Sequence, residues 1–156
     1  MNQSLQCASL VLIVGLGITS LMQAQEKRIK REDLPAAVEK TVAEQSKGAI
    51  VRGFSEEVEK GVTYYEAELT VNGHGRDILM NKQGKIVEVE DVVSLDSLPA
   101  AVREGLQEAA GAGKIGKVES LTKNGKLVAF EAAVKTGNKR SEIQVGPDGK
   151  KLAHPE

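Results

Sequence analysis

The chain has 156 residues, a length that suits one ordinary domain or two very small ones, with 40% hydrophobic residues, 3% aromatic and no Trp. Any core must therefore be aliphatic, with Phe54, Tyr64, Tyr65 and Phe130 as the only large rings. A formal charge of −1 leaves no basic field for the phosphate neutralisation on which nucleic-acid binding relies, so nucleic acid is excluded as an expected partner.

Residues 1–24 contain no Lys, Arg, Asp or Glu, and Ala8 to Ile18 form an apolar run. The run is short for a membrane span of about 20 residues but suits the apolar core of a signal peptide, with a cleavage point after Ala24. Residues 1–24 are accordingly read as a signal peptide, which predicts export to the periplasm or beyond and no stable membrane span after cleavage. The rival is an uncleaved anchor, because Lys27, Arg28, Lys30 and Arg31 follow the run and basic residues tend to stay on the cytoplasmic side. The single cysteine, Cys7, lies inside this segment, so the mature chain carries no thiol. Gln6 before Cys7 is too large for a good lipoprotein processing site.

The remainder repeats itself. Leu34-Pro35-Ala36-Ala37-Val38 recurs as Leu98-Pro99-Ala100-Ala101-Val102, an offset of 64. Tyr65-Glu66-Ala67-Glu68-Leu69 matches Phe130-Glu131-Ala132-Ala133-Val134, and Gln83-Gly84-Lys85 matches Asp148-Gly149-Lys150, both at an offset of 65. Three ordered matches at nearly constant spacing mark an internal repeat.

Each copy opens on a helix signal: Asp33 or Ser97 as N-cap, then Pro in the first turn, where its missing N–H costs nothing. Leu34, Val38 and Val42, and then Leu98, Val102 and Leu106, fall on one helical stripe. Gly48 ends the first helix and Gly111 or Gly113 the second. The pattern then changes to period two. Tyr65, Ala67, Leu69 and Val71 alternate with Tyr64, Glu66, Glu68 and Thr70, and Val128, Phe130, Ala132 and Val134 form the matching inward row. Ile78 and Met80, with Ile143 and Val145 as counterparts, predict a further strand. Asn81–Gly84 and Gly146–Gly149 read as tight turns into a last one, where Val87 and Val89 alternate with Glu88 and Glu90. A less regular strand precedes these around residues 51–57 and 115–121. The expected fold is α+β: two tandem modules, residues 25–92 and 93–156, each a helix packed on one face of a four-stranded antiparallel sheet. Modules of about 60 residues bury too little surface to stand alone, so they are expected to pack together.

These elements resemble the PepSY-like family, which is grouped with the β-lactamase-inhibitor-like fold. The resemblance is carried by the Leu-Pro-Ala-Ala-Val helix start, the Tyr/Phe-Glu-Ala strand and the x-x-Gly-Lys turn, and it covers about residues 30 to 153. It implies an exported bacterial protein without catalytic machinery, and inhibition or regulation of a peptidase as the kind of role proposed for relatives. It carries over no contact residue.

Chemistry-bearing constellations are scarce. Gly111-Ala112-Gly113-Lys114-Ile115-Gly116 fits G-x-G-x-x-G, but it closes a helix and precedes a strand, the reverse of a dinucleotide site. His74 and His154 are the only histidines, in a turn and in the C-terminal tail, so no metal site is expected. No G-x-S-x-G elbow and no Ser or Cys with a nearby His and carboxylate is present. No catalytic residue and no cofactor is therefore expected. The pairs Glu66/Glu68 and Glu88/Glu90 each share a strand face and read as solvated outer-face acids.

The candidate partner face is the outward row Tyr64, Glu66, Glu68 and Thr70, an aromatic ring in a polar field of the composition that protein-binding patches favour. The corresponding row of the second copy, Leu127, Ala129, Glu131, Ala133 and Lys135, is more apolar and is expected to pack against the first copy. The expected function is a non-catalytic protein-binding module acting on an exported protein such as a peptidase. The alternative is a structural, envelope-associated protein with no specific soluble ligand.

Overall fold

A computed structural model describes residues 25–156. The proposed signal peptide, residues 1–24, lies outside the described residues. Eight strands and two helices follow in order: β1 (Gln25–Ile29), α1 (Ala36–Gln45), β2 (Ile50–Glu59), β3 (Val62–Val71), β4 (His74–Asn81), β5 (Ile86–Val93), α2 (Ala100–Ala110), β6 (Lys114–Lys123), β7 (Lys126–Thr136) and β8 (Lys139–Val145). All eight strands form one antiparallel sheet whose spatial order is the chain order.

Turn chemistry explains the meander. Lys60-Gly61, Asn72-Gly73 and Asn124-Gly125 join β2 to β3, β3 to β4 and β6 to β7, and all six residues have positive φ. Two consecutive left-handed residues match the twist of the flanking strands, which is why Asn-Gly is favoured there.

Both helices lie on the same face of the sheet. α1 brings Val38 and Val42, with Leu34 ahead of it, onto Phe54, Tyr65, Ala67, Leu69, Ile78 and Met80. α2 brings Val102 and Leu106, with Leu98, onto Val118, Phe130, Ala132 and Val145. Register ties the two cores to one face, because directly opposed residues share a side. Leu69 pairs with Arg76, Arg76 with Asp91, Asp91 with Ser120, Ser120 with Phe130 and Phe130 with Val145. The polar middle of that row separates the cores. There the Arg76 guanidinium donates twice to Asp91, from Nε to Oδ1 at 2.5 Å and from Nη2 to Oδ2 at 3.0 Å.

The turns after β4 and β8 are built against the helices. Gly84 and Gly149 both have positive φ, and a Cβ on either would strike a helix carbonyl, Ala37 O or Ala101 O. Thr41 Oγ1 also donates to Gly84 O at 2.7 Å, fixing the first turn to α1. Glycine is required at both positions on two counts, conformation and space.

The expectation of two tandem helix-plus-four-strand modules is corrected: the fold is α+β, but it is a single eight-stranded sheet with two helices. The cause is the pairing of β5 with β6 from Glu88–Lys123 to Val93–Val118, which uses the edge that separate modules would leave free. The halves meet edge to edge, so the Leu127–Lys135 row does not pack on the first half. The second half has three strands, and its expected fourth is reduced to one bridge between Val145 and Lys151. β1 was not expected, because its charge-rich sequence carries no clear alternation. The expected N-caps are also displaced. Asp33 and Ser97 end short 3-10 turns, with Pro35 and Pro99 at the helix caps, and their side chains bond Lys30 N and Ser94 O instead.

Tyr65 and Phe130 are 7% and 6% exposed, one in each core. Tyr65→Ala is expected to lower unfolding free energy by about 3–5 kcal/mol, the usual cost of emptying a core aromatic site. Urea denaturation measures it, and an unchanged midpoint would remove Tyr65 from the core. Gly149→Ala is expected to lower the midpoint as well, whereas Gly137→Ala, with open space at its Cβ, should do so less.

Candidate functional site

The sheet face opposite the helices is covered by no element of the described chain, and it collects carboxylates. Alternation puts Glu57 on β2, Glu66 and Glu68 on β3, Asp77 on β4, Glu88 and Glu90 on β5, Glu119 on β6 and Glu131 on β7 on this side. Cross-strand pairing assembles them in rows: Ser55–Glu66–Leu79–Glu88–Lys123, and Gly53–Glu68–Asp77–Glu90–Leu121–Ala129. Glu57, Glu66, Asp77, Leu79, Glu88 and Glu90 line a cleft of about 160 Å³.

These acids are not fully solvated, contrary to expectation. The side chains of Glu68 and Glu88 are only 16% and 23% exposed, and Glu119 is buried. Leu121 and Ala129 are also buried on this side although they belong to neither core. Acids from six adjacent strands stand side by side, so each shields its neighbours from water.

Basic partners are fewer. Arg28 Nη1 lies 2.6 Å from Glu68, Arg52 Nη2 2.7 Å from Asp77, Lys117 Nζ 2.8 Å from Glu119 and Lys123 Nζ 3.5 Å from Glu88. Arg52 reaches this face because it occupies the bulge between Val51 and Gly53. Two acids rely on neutral donors: Ser55 Oγ donates to Glu66 Oε2 at 2.6 Å, and Gln144 Nε2 to Glu131 Oε2 at 2.7 Å.

Burial and like charge hold protons on the face. Burial pushes Glu66 up to about 7, against the hydrogen bond from Ser55, with Glu57, Asp77 and Glu68 adding repulsion. Burial pushes Glu90 up to about 8, and Glu119, Glu88, Glu131 and Asp77 add to it. Burial likewise raises Glu57, Asp77 and Glu131 above the usual carboxylate range.

The four candidate residues lie along β3 on this face, all partly buried. They do not converge: Tyr64 and Thr70 are six positions apart, about 20 Å along the strand. Glu66 lines the cleft, Glu68 is paired with Arg28, Tyr64 stands opposite Glu57 and Asn81, and Thr70 stands opposite Ile50 and Gly75. Single-strand alternation placed Glu131 outward but overlooked Glu57, Asp77 and Glu119. The acids Asp77 and Glu90, placed opposite each other in the β4–β5 hairpin, were the available signal. His74 is exposed at the start of β4, and Gly111 caps α2 ahead of β6, so G-x-G-x-x-G closes a helix.

No family model matches the chain, and no curated protein matches it. Its fold does match solved structures. One is a candidate periplasmic protein of Bacteroides eggerthii, with a TM-score of 0.64 and 20% identity over 76% of this chain and 86% of that one. A second is a DUF2874 family protein of Bacteroides ovatus, with a TM-score of 0.60 and 22% identity over 76% and 84%. A third is a BLIP-like protein of Bacteroides fragilis, with a TM-score of 0.56 and 22% identity over 74% and 81%. The fold is BLIP-like. Among the described residues no helix is long and apolar enough to cross a membrane.

The raised carboxyls make stability depend on pH. In the unfolded chain Glu66 and Glu90 ionise near 4.5, whereas in the folded protein they hold their protons to about 7 and 8. Between these limits the folded state binds more protons, so stability falls as pH rises. The urea midpoint is expected to drop from pH 5 to pH 8, and Glu66→Gln should reduce the part of the drop below about pH 7. A profile unchanged by that substitution would show Glu66 to titrate normally.

Proposed function

We propose that the chain is an exported, non-catalytic module that binds another exported protein across the open, acidic face of its sheet. The observation that carries this reading is a broad sheet face with no covering element among the described residues and more carboxylates than basic partners. Such a face complements a positively charged surface, which it would steer and orient. Tyr64 supplies an aromatic anchor beside Glu66, Glu68 and Thr70. Inhibition or regulation of a peptidase is the form of this activity implied by the PepSY-like motifs, and the BLIP-like fold supports a protein-binding role over an enzymatic one. Export is supported by the apolar run within residues 1–24 and by the candidate periplasmic protein among the structural neighbours.

The test is affinity capture from the exported fraction, with direct binding measured on the partner recovered. A specific protein with a basic contact surface is expected, with affinity falling as salt rises. Tyr64→Ala and Glu68→Lys should each weaken binding at least tenfold, about 1.4 kcal/mol, while the far-UV spectrum is retained. Capture of cell-wall material alone, indifferent to both substitutions, would support the structural, envelope-associated reading instead.

A further inference from the structure

Three acids on neighbouring strands converge near the middle of the open face. Asp77 on β4, Glu90 on β5 and Glu119 on β6 each bring a carboxylate oxygen within 4.8 Å of the other two. Register explains the convergence. Asp77 and Glu90 are direct cross-strand partners, and Val92 pairs with Glu119, which makes Glu90 and Glu119 diagonal neighbours on one side.

An acidic cluster alone shows only that a face is acidic. What sets this one apart is Glu119, which is 5% exposed. Its Oε2 lies 2.8 Å from Lys117 Nζ, but its Oε1 is buried with no hydrogen-bond partner among the described residues. A carboxylate oxygen taken out of water with nothing in exchange is costly, and such groups are ordinarily paired or bound to a metal. No side chain of the described residues, Asp77 and Glu90 included, makes a hydrogen bond to this oxygen. Arg52 and Lys117 offset two of the three charges, and Glu131, directly opposite Glu119, adds another negative one.

The geometry points to a site for one hard divalent cation, calcium, held by Asp77, Glu90 and the unpartnered oxygen of Glu119. An all-oxygen donor set selects calcium or magnesium over zinc and copper, which prefer nitrogen and sulfur. Calcium–oxygen bonds are about 2.3–2.6 Å, so donors on opposite sides of the ion stand roughly 5 Å apart, in keeping with this spacing. Magnesium, with bonds of about 2.0–2.1 Å, needs a tighter octahedron and keeps more of its water. Arg52 on Asp77 and Lys117 on Glu119 Oε2 orient two of the ligands, as outer partners do at metal sites. The cation gives Glu119 Oε1 the partner that the described residues do not.

The site is tested on the full chain, stripped with EGTA and titrated with calcium chloride or magnesium chloride at constant ionic strength. Calorimetry and the thermal midpoint are the readouts. One calcium is expected to bind with a dissociation constant of about 10⁻⁴–10⁻³ M, the range of extracellular calcium modules, and to raise the midpoint. Asp77→Asn and Glu119→Gln should each weaken binding at least tenfold, while Tyr64→Ala leaves it unchanged. Asp77 is partly exposed, so its variant serves even if Glu119→Gln fails to fold. Absence of heat at millimolar calcium, equal affinity in the Asp77 variant, or preference for magnesium would each overturn the assignment. So would a cluster that takes a lysine-rich peptide and no calcium. None of these outcomes depends on whether Tyr64 contacts a protein partner, so this site and the proposed function fail separately.

Discussion

The pairing of β5 with β6 is the constraint on which the rest of the molecule depends. It turns what would be two small layered units, each short of buried surface, into one sheet that carries two helices on the same side. Each helix then needs to cover only its own half. The bidentate Arg76–Asp91 pair between the cores meets a specific difficulty, because the strip of sheet between the helices is half-buried and would otherwise present apolar groups to water. An ion pair here contributes modestly to stability, but it keeps a polar seam on the covered side.

Joining the halves edge to edge also creates the open side. A narrow sheet of three or four strands would let its outward acids splay into solvent. Across eight strands the same acids have neighbours on both flanks, and their long side chains enclose one another, Leu121 and Ala129. That burial, with like charge added to it, raises carboxyl proton affinity in the middle of the sheet, where Glu66 and Glu90 are pushed up to about 7 and 8. This charge density links the proposed partner surface, the pH dependence and the proposed cation site. Each is a way of offsetting negative charge that four basic side chains leave in excess.

The sequence was readable wherever a physical signal was local. Leu-Pro announced both helices, and the stripe residues Val38, Val42, Val102 and Leu106 are buried as the helical spacing implies. Alternation put Tyr65 and Phe130 in cores and sent Glu66 and Glu131 to the opposite side. The missed features depend on distant segments. β1 has no useful alternation and is a strand because β2 offers it an edge. The fourth strand expected after Gly149 is cut to a bridge at Lys151, because Leu152-Ala153-His154-Pro155 lacks an alternating pattern. Asp33 and Ser97 had the chemistry of helix caps but lie in 3-10 turns one step earlier. The acidic face was half visible: Glu66, Glu68, Glu88, Glu90 and Glu131 could be placed outward, but their crowding required the register of six strands.

Because every strand is bonded to the one before it in the chain, building this sheet closes only tight turns and the two helix-bearing connections, residues 30–49 and 94–113. Ordering can begin at any of the Asn-Gly or Lys-Gly hairpins and spread by adding the adjacent segment, at small entropic cost per step. A β-rich chain assembled by such neighbourly steps belongs with the faster folders of its class rather than with Greek-key sandwiches, whose strands must find remote partners. A short-range assembly route of this kind limits the time for which the apolar strands lie open to aggregation or proteolysis before the sheet is complete.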